Sequence, residues 1–198
     1  MSFAIFIQPE GNFLNLLKSW KEKLNIEFPD QRYTLHPPHM TILNMEVKNE
    51  SNAIKIISNA ASYFNPIQIS IDKPDIFFND AATGGHTLFF SIKNNNFVNT
   101  LQVSLAEALI NEKNIKSPPK YVTKSDNFLK SYNKYGSPFI GKHWIPHFSI
   151  SSIIVEKTNP IFKEFLSMNF NHCFTIHQLS IWRIIGDTHT KLTNVPFK

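Results

Sequence analysis

Residues 38–42 are Pro-His-Met-Thr-Ile, and residues 146–150 are Pro-His-Phe-Ser-Ile. Both segments follow the pattern proline, histidine, apolar residue, threonine or serine, isoleucine, and one segment lies in each half of the chain. A histidine two residues before a hydroxyl residue is common by itself, but a five-position match that occurs twice indicates an internal repeat. We therefore treat the two segments as corresponding elements of two similar halves.

The spacing within each segment predicts which side chains lie together. In a β-strand, residues two apart point to the same face, so His39 projects with Thr41, and His147 projects with Ser149. Each preceding proline lacks a backbone donor, which favours the start or edge of a strand and places the histidine at the mouth of a groove. If the two strands face each other, two imidazoles and two hydroxyls surround one cavity.

These four groups are suited to one kind of chemistry. Two imidazoles that titrate near neutral pH can act together as general base and general acid. Two hydroxyls can donate hydrogen bonds to the non-bridging oxygens of a phosphate. The pattern predicts a phosphodiester site that needs no metal and no other cofactor, and the similarity of the motifs leaves open which histidine is the base.

On these residues the sequence resembles the 2H phosphoesterases, a family defined by two His-x-Thr/Ser-x motifs. The matching segments are His39-Met40-Thr41-Ile42 and His147-Phe148-Ser149-Ile150, the second with serine where threonine is common. Members of the family include RNA 2′,3′-cyclic phosphodiesterases, bacterial "2′-5′ RNA ligase" proteins and viral enzymes that cleave 2′,5′-oligoadenylate.

The resemblance covers nearly the whole chain and carries expectations for fold and function. It implies an α+β fold in which residues 1–198 form one domain. Two pseudo-symmetric lobes with antiparallel sheets, flanked by helices, would enclose a central groove that holds both motifs. It also implies cleavage of 2′,3′-cyclic phosphates or 2′-5′ phosphodiester bonds on nucleotides or RNA ends. A nucleotide- or RNA-end-binding module without turnover is the alternative function.

Hydrophobic periodicity predicts alternating short strands and helices along the rest of the chain. No glycine-rich phosphate loop follows any predicted strand, which argues against a dinucleotide-binding or P-loop fold. The expected strands are 3–7, 67–71, 76–78, 87–92, 143–155 and 174–185, and the expected helices begin near residues 12, 51, 97 and 158. Residues 33–43 are expected as the approach to a strand, interrupted by Pro37-Pro38. Residues 116–141 break this rhythm, with one short helix expected at Asp126.

Four further side chains are candidate substrate contacts: Lys142, Trp144, Tyr132 and Arg183. Lysines and tyrosines interleave between residues 116 and 142, a pattern compatible with a flap that stacks a base and steers phosphate, or with a solvated loop. Trp144 is placed to stack a nucleobase or to pack in the groove wall. Arg183 is placed to pair with phosphate or to face solvent.

Metal binding is the main alternative for the histidines. His36 with His39, and His143 with His147, are spaced closely enough to share a metal ion. Pro146 disfavours the helix that would put His143 and His147 on one face, and no carboxylate accompanies either pair as in metalloproteases. The remaining four histidines have no motif around them and are expected at the surface or in caps.

Composition limits the protein class. Apolar residues make up 42% and charged residues 18%, which suits a packed globular domain. The net charge of +5 suits attraction to small anions or nucleic-acid ends better than binding of a duplex. A single cysteine, Cys173, excludes an intrachain disulfide. With no signal peptide or membrane span evident, we expect a monomer in the reducing cytoplasm, with Cys173 buried.

Overall fold

The computed structural model describes residues 2–29, 31, 33–169 and 171–198, and these ranges contain eight strands and five α-helices. The strands are Ser2–Ile7 (β1), His39–Met45 (β2), Ile67–Phe77 (β3), His86–Ile92 (β4), His147–Ile153 (β5), Cys173–Ile176 (β6), Gln178–Ile185 (β7) and Thr188–Pro196 (β8). The helices are Gly11–Glu27 (α1), Glu50–Ala61 (α2), Asn96–Ala108 (α3), Asp126–Tyr135 (α4) and Pro160–Leu166 (α5). Within the described ranges, no helix is both long and apolar enough to cross a bilayer.

All eight strands belong to one antiparallel sheet with the order β6-β3-β4-β5-β2-β1-β7-β8. The prediction of an α+β fold with antiparallel strands is therefore confirmed. Four strands lie on each side of the junction between β5 and β2, so the two halves are parts of one continuous sheet. The junction has only two residue pairs, His39 with Ser149 and Met40 with Phe148, whereas each other neighbouring pair shares at least four.

The hydrophobic core lies on one face of the sheet, where α1, α2, α3 and α5 contribute buried side chains. Met40 and Phe148, the central residues of the two motifs, are completely buried in this core. The ring of Phe13 on α1 meets the ring of Phe148 edge-on at 5.2 Å. Because alternate residues of a strand point in opposite directions, this burial turns the motif histidines toward the other face.

The single strand expected over residues 174–185 is wrong. The chain forms β6 and β7 instead, and β6 pairs with β3 while β7 pairs with β1 and β8. Apolar alternation is a local property that carries no information about the partner strand, so it did not show that the chain changes partners near His177. Conversely, the two strands expected at 67–71 and 76–78 are one strand, β3. The register of its pairing with β4 shifts between Ile71 and Pro74.

The expectation of a buried Cys173 is also wrong, because its side chain is exposed. Cys173 begins β6, which is an edge strand of the sheet, and the hydroxyl of Ser70 lies 3.7 Å from its sulfur.

Residues 116–141 contain the predicted helix and are attached to the domain. Helix α4 begins after Ser125, whose hydroxyl accepts a hydrogen bond from the Phe128 amide, and it ends at Gly136 in the left-handed conformation, with φ of 76°. The fully buried amide of Gln102 on α3 donates to the Phe139 carbonyl at 2.7 Å and accepts from the Gly141 amide at 3.0 Å. The segment is thus hydrogen-bonded to α3 shortly before the second motif.

Replacing Gln102 tests this attachment. Gln102→Met keeps the side-chain volume but leaves two backbone groups without their partner, and each such loss costs about 1–3 kcal/mol. Because two groups lose their partner, we expect the free energy of unfolding to fall by about 2–6 kcal/mol and amide exchange to increase between residues 137 and 143. The exposed Gln68→Met is the control, and unchanged exchange in Gln102→Met would contradict this role for the amide.

Candidate active site

The junction between β2 and β5 brings the four motif side chains together. His39 lies opposite Ser149, and the same register continued by one residue sets Thr41 across from His147. Opposed residues of an antiparallel pair point to the same face, so all four groups lie on the face turned away from the helices. The two histidines form a diagonal pair, whose Cα atoms lie roughly 7–8 Å apart in such a ladder.

Each imidazole is oriented by a backbone carbonyl two residues earlier. Nδ1 of His39 lies 2.6 Å from the Pro37 oxygen, and Nδ1 of His147 lies 2.6 Å from the Ile145 oxygen. A carbonyl can only accept, so Nδ1 carries the proton in both rings. In each neutral ring Nε2 then has a free lone pair, and a general base needs such a lone pair to accept a proton.

Phenylalanines from the outer neighbouring strands support both imidazoles. Phe6 on β1 stacks on His39 with ring centroids 3.8 Å apart, and it lies opposite Thr41 in the pairing of β1 with β2. Phe89 on β4 approaches His147 at 4.9 Å and pairs with Ser149. The repeat therefore extends beyond the motifs to an aromatic support for each histidine. The sequence predicts that Phe6 and Phe89 lie on strands, but nothing in it shows that they contact the imidazoles.

The surroundings of His39 favour its neutral form. Burial is the main cause, and it lowers the pKa of His39 from 6.5 to about 3. The ammonium of Lys21 and the imidazoles of His189 and His36 lower this pKa further, while the carbonyl at Nδ1 raises it. His39 is therefore neutral at physiological pH.

The surroundings of His147 differ in charge. Burial again lowers the pKa, but the Ile145 carbonyl and the carboxylate of Asp80 raise it. Asp80 lies in the connection between β3 and β4, where the Thr87 hydroxyl donates to it at 2.7 Å. An anion near His147 and a cation near His39 thus distinguish two motifs that are almost identical in sequence.

The candidate substrate contacts ahead of the second motif lie in different environments. The Trp144 indole donates a hydrogen bond to the Thr41 carbonyl at 3.1 Å, and its ring packs against the core, so it links the approach of one motif to the strand of the other. Tyr132 on α4 is half-buried. Lys142 is exposed in the turn Gly141–His143. A substrate contact by any of the three predicted residues stays a prediction.

Arg183 is not near the two histidines. Its guanidinium hydrogen-bonds the carboxylate of Glu50 on α2, with 2.8 Å from Nε to Oε1. Arg183 lies opposite Phe3, which belongs to the main core. Trp182, next to Arg183 in the chain, packs with Ala4 and Phe6 in a small cluster on the other face of the sheet. The expectation that Arg183 faces the site is corrected accordingly, because the ion pair holds it on the helix side of the sheet.

Other groups near the site had no motif to reveal them. The ring of His189 on β8 lies 4.2 Å from that of His36 and 6.3 Å from that of His39. In the described part of the chain, no group of three or more His, Cys, Asp or Glu side chains is arranged to hold a metal ion. An open cavity of about 400 Å³ lies at the far end of β4 and β5, beside His86 and Ile154, and not at the motifs.

Comparison with known proteins agrees with this architecture. The model of the 2′-5′ RNA ligase superfamily matches residues 10–188 of the chain. The chain belongs to this superfamily, whose members are 2H phosphoesterases. The predicted resemblance is thereby confirmed. A search of curated proteins by sequence gave no significant match.

Solved structures with a similar fold align with nearly the whole chain. The protein TT0787 of Thermus thermophilus superposes with a TM-score of 0.68 at 13% identity, covering 99% of this chain and 97% of its own. E. coli LigT complexed with 3′-AMP gives a TM-score of 0.57 at 10% identity, with coverages of 98% and 97%. At such identities the likeness shows a shared fold.

The lowered pKa of His39 predicts that the protein loses stability in acid. As the pH falls below 6.5 the unfolded chain binds a proton that folded His39 binds only near pH 3, so the free energy of unfolding decreases between these values. The contribution is about 1.4 kcal/mol per pH unit. Urea unfolding at pH 7, 6, 5 and 4 should show a smaller loss for His39→Gln than for wild type. Parallel losses in the two proteins would contradict the buried, neutral imidazole.

Proposed function

We propose that this protein is a phosphodiesterase that needs no metal and cleaves 2′,3′-cyclic phosphates or 2′-5′ phosphodiester bonds on nucleotides or RNA ends. The observation that carries the proposal is the pair of imidazoles on one sheet face, each with Nδ1 held by a carbonyl and Nε2 left to accept a proton. Membership of the 2′-5′ RNA ligase superfamily supports it. So do the complexes of LigT with 3′-AMP, ATP and phosphate, all molecules that carry a phosphate group.

The hydroxyls of Thr41 and Ser149 are proposed to hold the phosphate. Both side chains are half-buried and share the face of the histidines. Among the described residues neither hydroxyl makes a hydrogen bond that would compete with a substrate. Donation to the non-bridging oxygens would stabilise the charge that develops on the phosphate during attack.

The charges around the two rings support an assignment of roles. His39, whose pKa is lowered by burial and by the charge of Lys21, is proposed as the general base because it remains neutral. His147 is proposed as the general acid because the Asp80 carboxylate raises its pKa against the effect of burial. A bound phosphodiester anion adds a second negative charge near His147 and raises its pKa further.

For a cyclic substrate the proposed step balances in protons and bonds. Nε2 of His39 removes a proton from water as the water oxygen bonds to phosphorus. The bond from phosphorus to one ribose oxygen breaks, and Nε2–H of His147 protonates that oxygen. The product is a ribose phosphomonoester, and proton exchange with solvent restores both rings. For a 2′-5′ linkage a ribose hydroxyl would replace water and leave a cyclic phosphate.

Replacing either histidine tests the proposal. His39→Ala and His147→Ala should each lower kcat by roughly 10²- to 10⁴-fold, because each removes one proton transfer. Suitable substrates are 2′,3′-cyclic nucleotides, 2′,5′-oligoadenylate and ADP-ribose cyclic phosphate, with products separated by chromatography. His177→Ala, at an exposed position away from the motifs, is the matched control.

The same panel decides between the enzyme and a binding module. Cleavage that survives in either motif variant would overturn the assignment of that histidine, and loss of activity with EDTA would indicate a metal site. Binding of a nucleotide without any product in wild type would favour the module.

A substrate with a good leaving group separates the base from the acid. A phosphodiester of 4-nitrophenol releases a phenolate that departs without a proton, so the general acid becomes dispensable. On this substrate His147→Ala should lose far less activity than on a cyclic nucleotide, whereas His39→Ala should lose a similar factor on both. Initial rates measured by absorbance give this comparison, and the reverse pattern would exchange the two roles.

A further inference from the structure

Helix α1 carries a lysine on its buried face. Its other buried side chains are Phe13, Leu17, Trp20 and Leu24, and Lys21 lies among them with 9% of its surface exposed. Taking an ammonium out of water costs several kcal/mol unless hydrogen bonds compensate it. No carboxylate in the described part of the chain forms an ion pair with Lys21. A buried cation in this position requires another explanation.

The ammonium of Lys21 is satisfied by three backbone carbonyls from two separate parts of the chain. Its Nζ donates to the carbonyl of Ile150, and it lies 3.4 Å from the carbonyls of Tyr33 and Thr34. An ammonium has three donors, so these acceptors match its capacity. Ile150 is the last residue of the second motif, and residues 33–34 precede the first motif.

These carbonyls lie where the ladder between the two halves stops. The pairing of β2 with β5 ends at His39 and Ser149, so Ile150 has no backbone partner on β2. On the other side of the same short ladder, the Trp144 indole donates to the Thr41 carbonyl. Side chains from outside the ladder therefore hold it at both of its ends.

The charge of Lys21 also acts on the site. His39 contacts the ring of Phe6 from β1 and the carbonyl at Nδ1, and the ring of His189 from β8 lies 6.3 Å away. The charges of Lys21 from α1 and of His36 from the preceding turn act on His39 through space. Lys21 contributes the permanent cation of this set. Burial lowers its own pKa to about 8, so it stays largely charged at neutral pH.

We propose that Lys21 is a positioning residue of the active site, whose buried ammonium joins the strand of the second motif to the turn before the first. The effect on turnover rests on the proposed function, whereas the effect on His39 exists without substrate. In this role Lys21 touches no reacting atom and acts through the backbone and through its charge.

Variants at Lys21 test the proposal with two controls on the same helix. Lys21→Met removes the charge and the donors, and Lys21→Gln removes the charge but keeps two N–H donors in case the first variant does not fold. Lys18→Met removes an exposed charge from α1, and Leu24→Ala destabilises the buried face without changing charge. The first readout is the NMR titration of the His39 imidazole without substrate, assigned by comparison with His39→Gln.

In Lys21→Met and Lys21→Gln we expect His39 to titrate at a higher pH than in wild type. The same variants should lower kcat on the substrate cleaved by wild type by about 10²-fold, the effect of misplacing catalytic groups by about 1 Å, with a smaller change in KM. Lys18→Met and Leu24→Ala should leave the titration of His39 unchanged.

Two outcomes overturn the proposal. One is an unchanged titration of His39 in both Lys21 variants. The other is a loss of kcat in the Lys21 variants that is no larger than the loss in Leu24→Ala, when the variants compared have the same free energy of unfolding. If wild type cleaves no substrate, the proposed function fails, and the titration alone still decides whether Lys21 acts on His39.

Discussion

Two backbone pairs between β2 and β5, His39 with Ser149 and Met40 with Phe148, join the halves of the sheet. One pair points its side chains to the site, and the other points them into the core. Burial of Met40 and Phe148 in the core thus holds the ladder that places the candidate catalytic groups. Because it is so short, its ends depend on hydrogen bonds from Trp144 and Lys21.

The candidate site is built from half-buried imidazoles on a hydrophobic support. Stacking on Phe6 and contact with Phe89 remove water from the two rings, and this desolvation is the main reason that both pKa values fall. Burial favours the neutral form of both rings in the free protein, while the carbonyl at each Nδ1 fixes the ring. In the proposed function, the phosphate anion of the substrate supplies the charge that favours protonation of one ring.

Much of the fold and of the candidate site could be predicted from local pattern. The spacing of His39 and Thr41 predicts a shared face because the period of a strand is two, and the repeat extends this to His147 and Ser149. That the two motifs share one groove was implied by the family resemblance, and only the structure shows that their strands are neighbours, since alternation does not identify a partner. The same limit explains why residues 174–185 were expected as one strand although they join both halves of the sheet.

Arg183 shows what local pattern leaves undecided. Adjacent residues on β7 face opposite sides, and only the position of Glu50 on α2 shows that Arg183 belongs to the helix side. Lys21 can be recognised in the sequence as a lysine on the apolar face of α1. Its hydrogen-bond acceptors cannot, because they belong to residues distant in sequence. The sequence by itself determined the candidate reacting groups, which its repeated motif marks, and the shared face of each histidine and its hydroxyl residue, which follows from the period of a strand. Only the tertiary structure decided how the two histidines differ, because the charges of Lys21 and Asp80 act through space from distant elements.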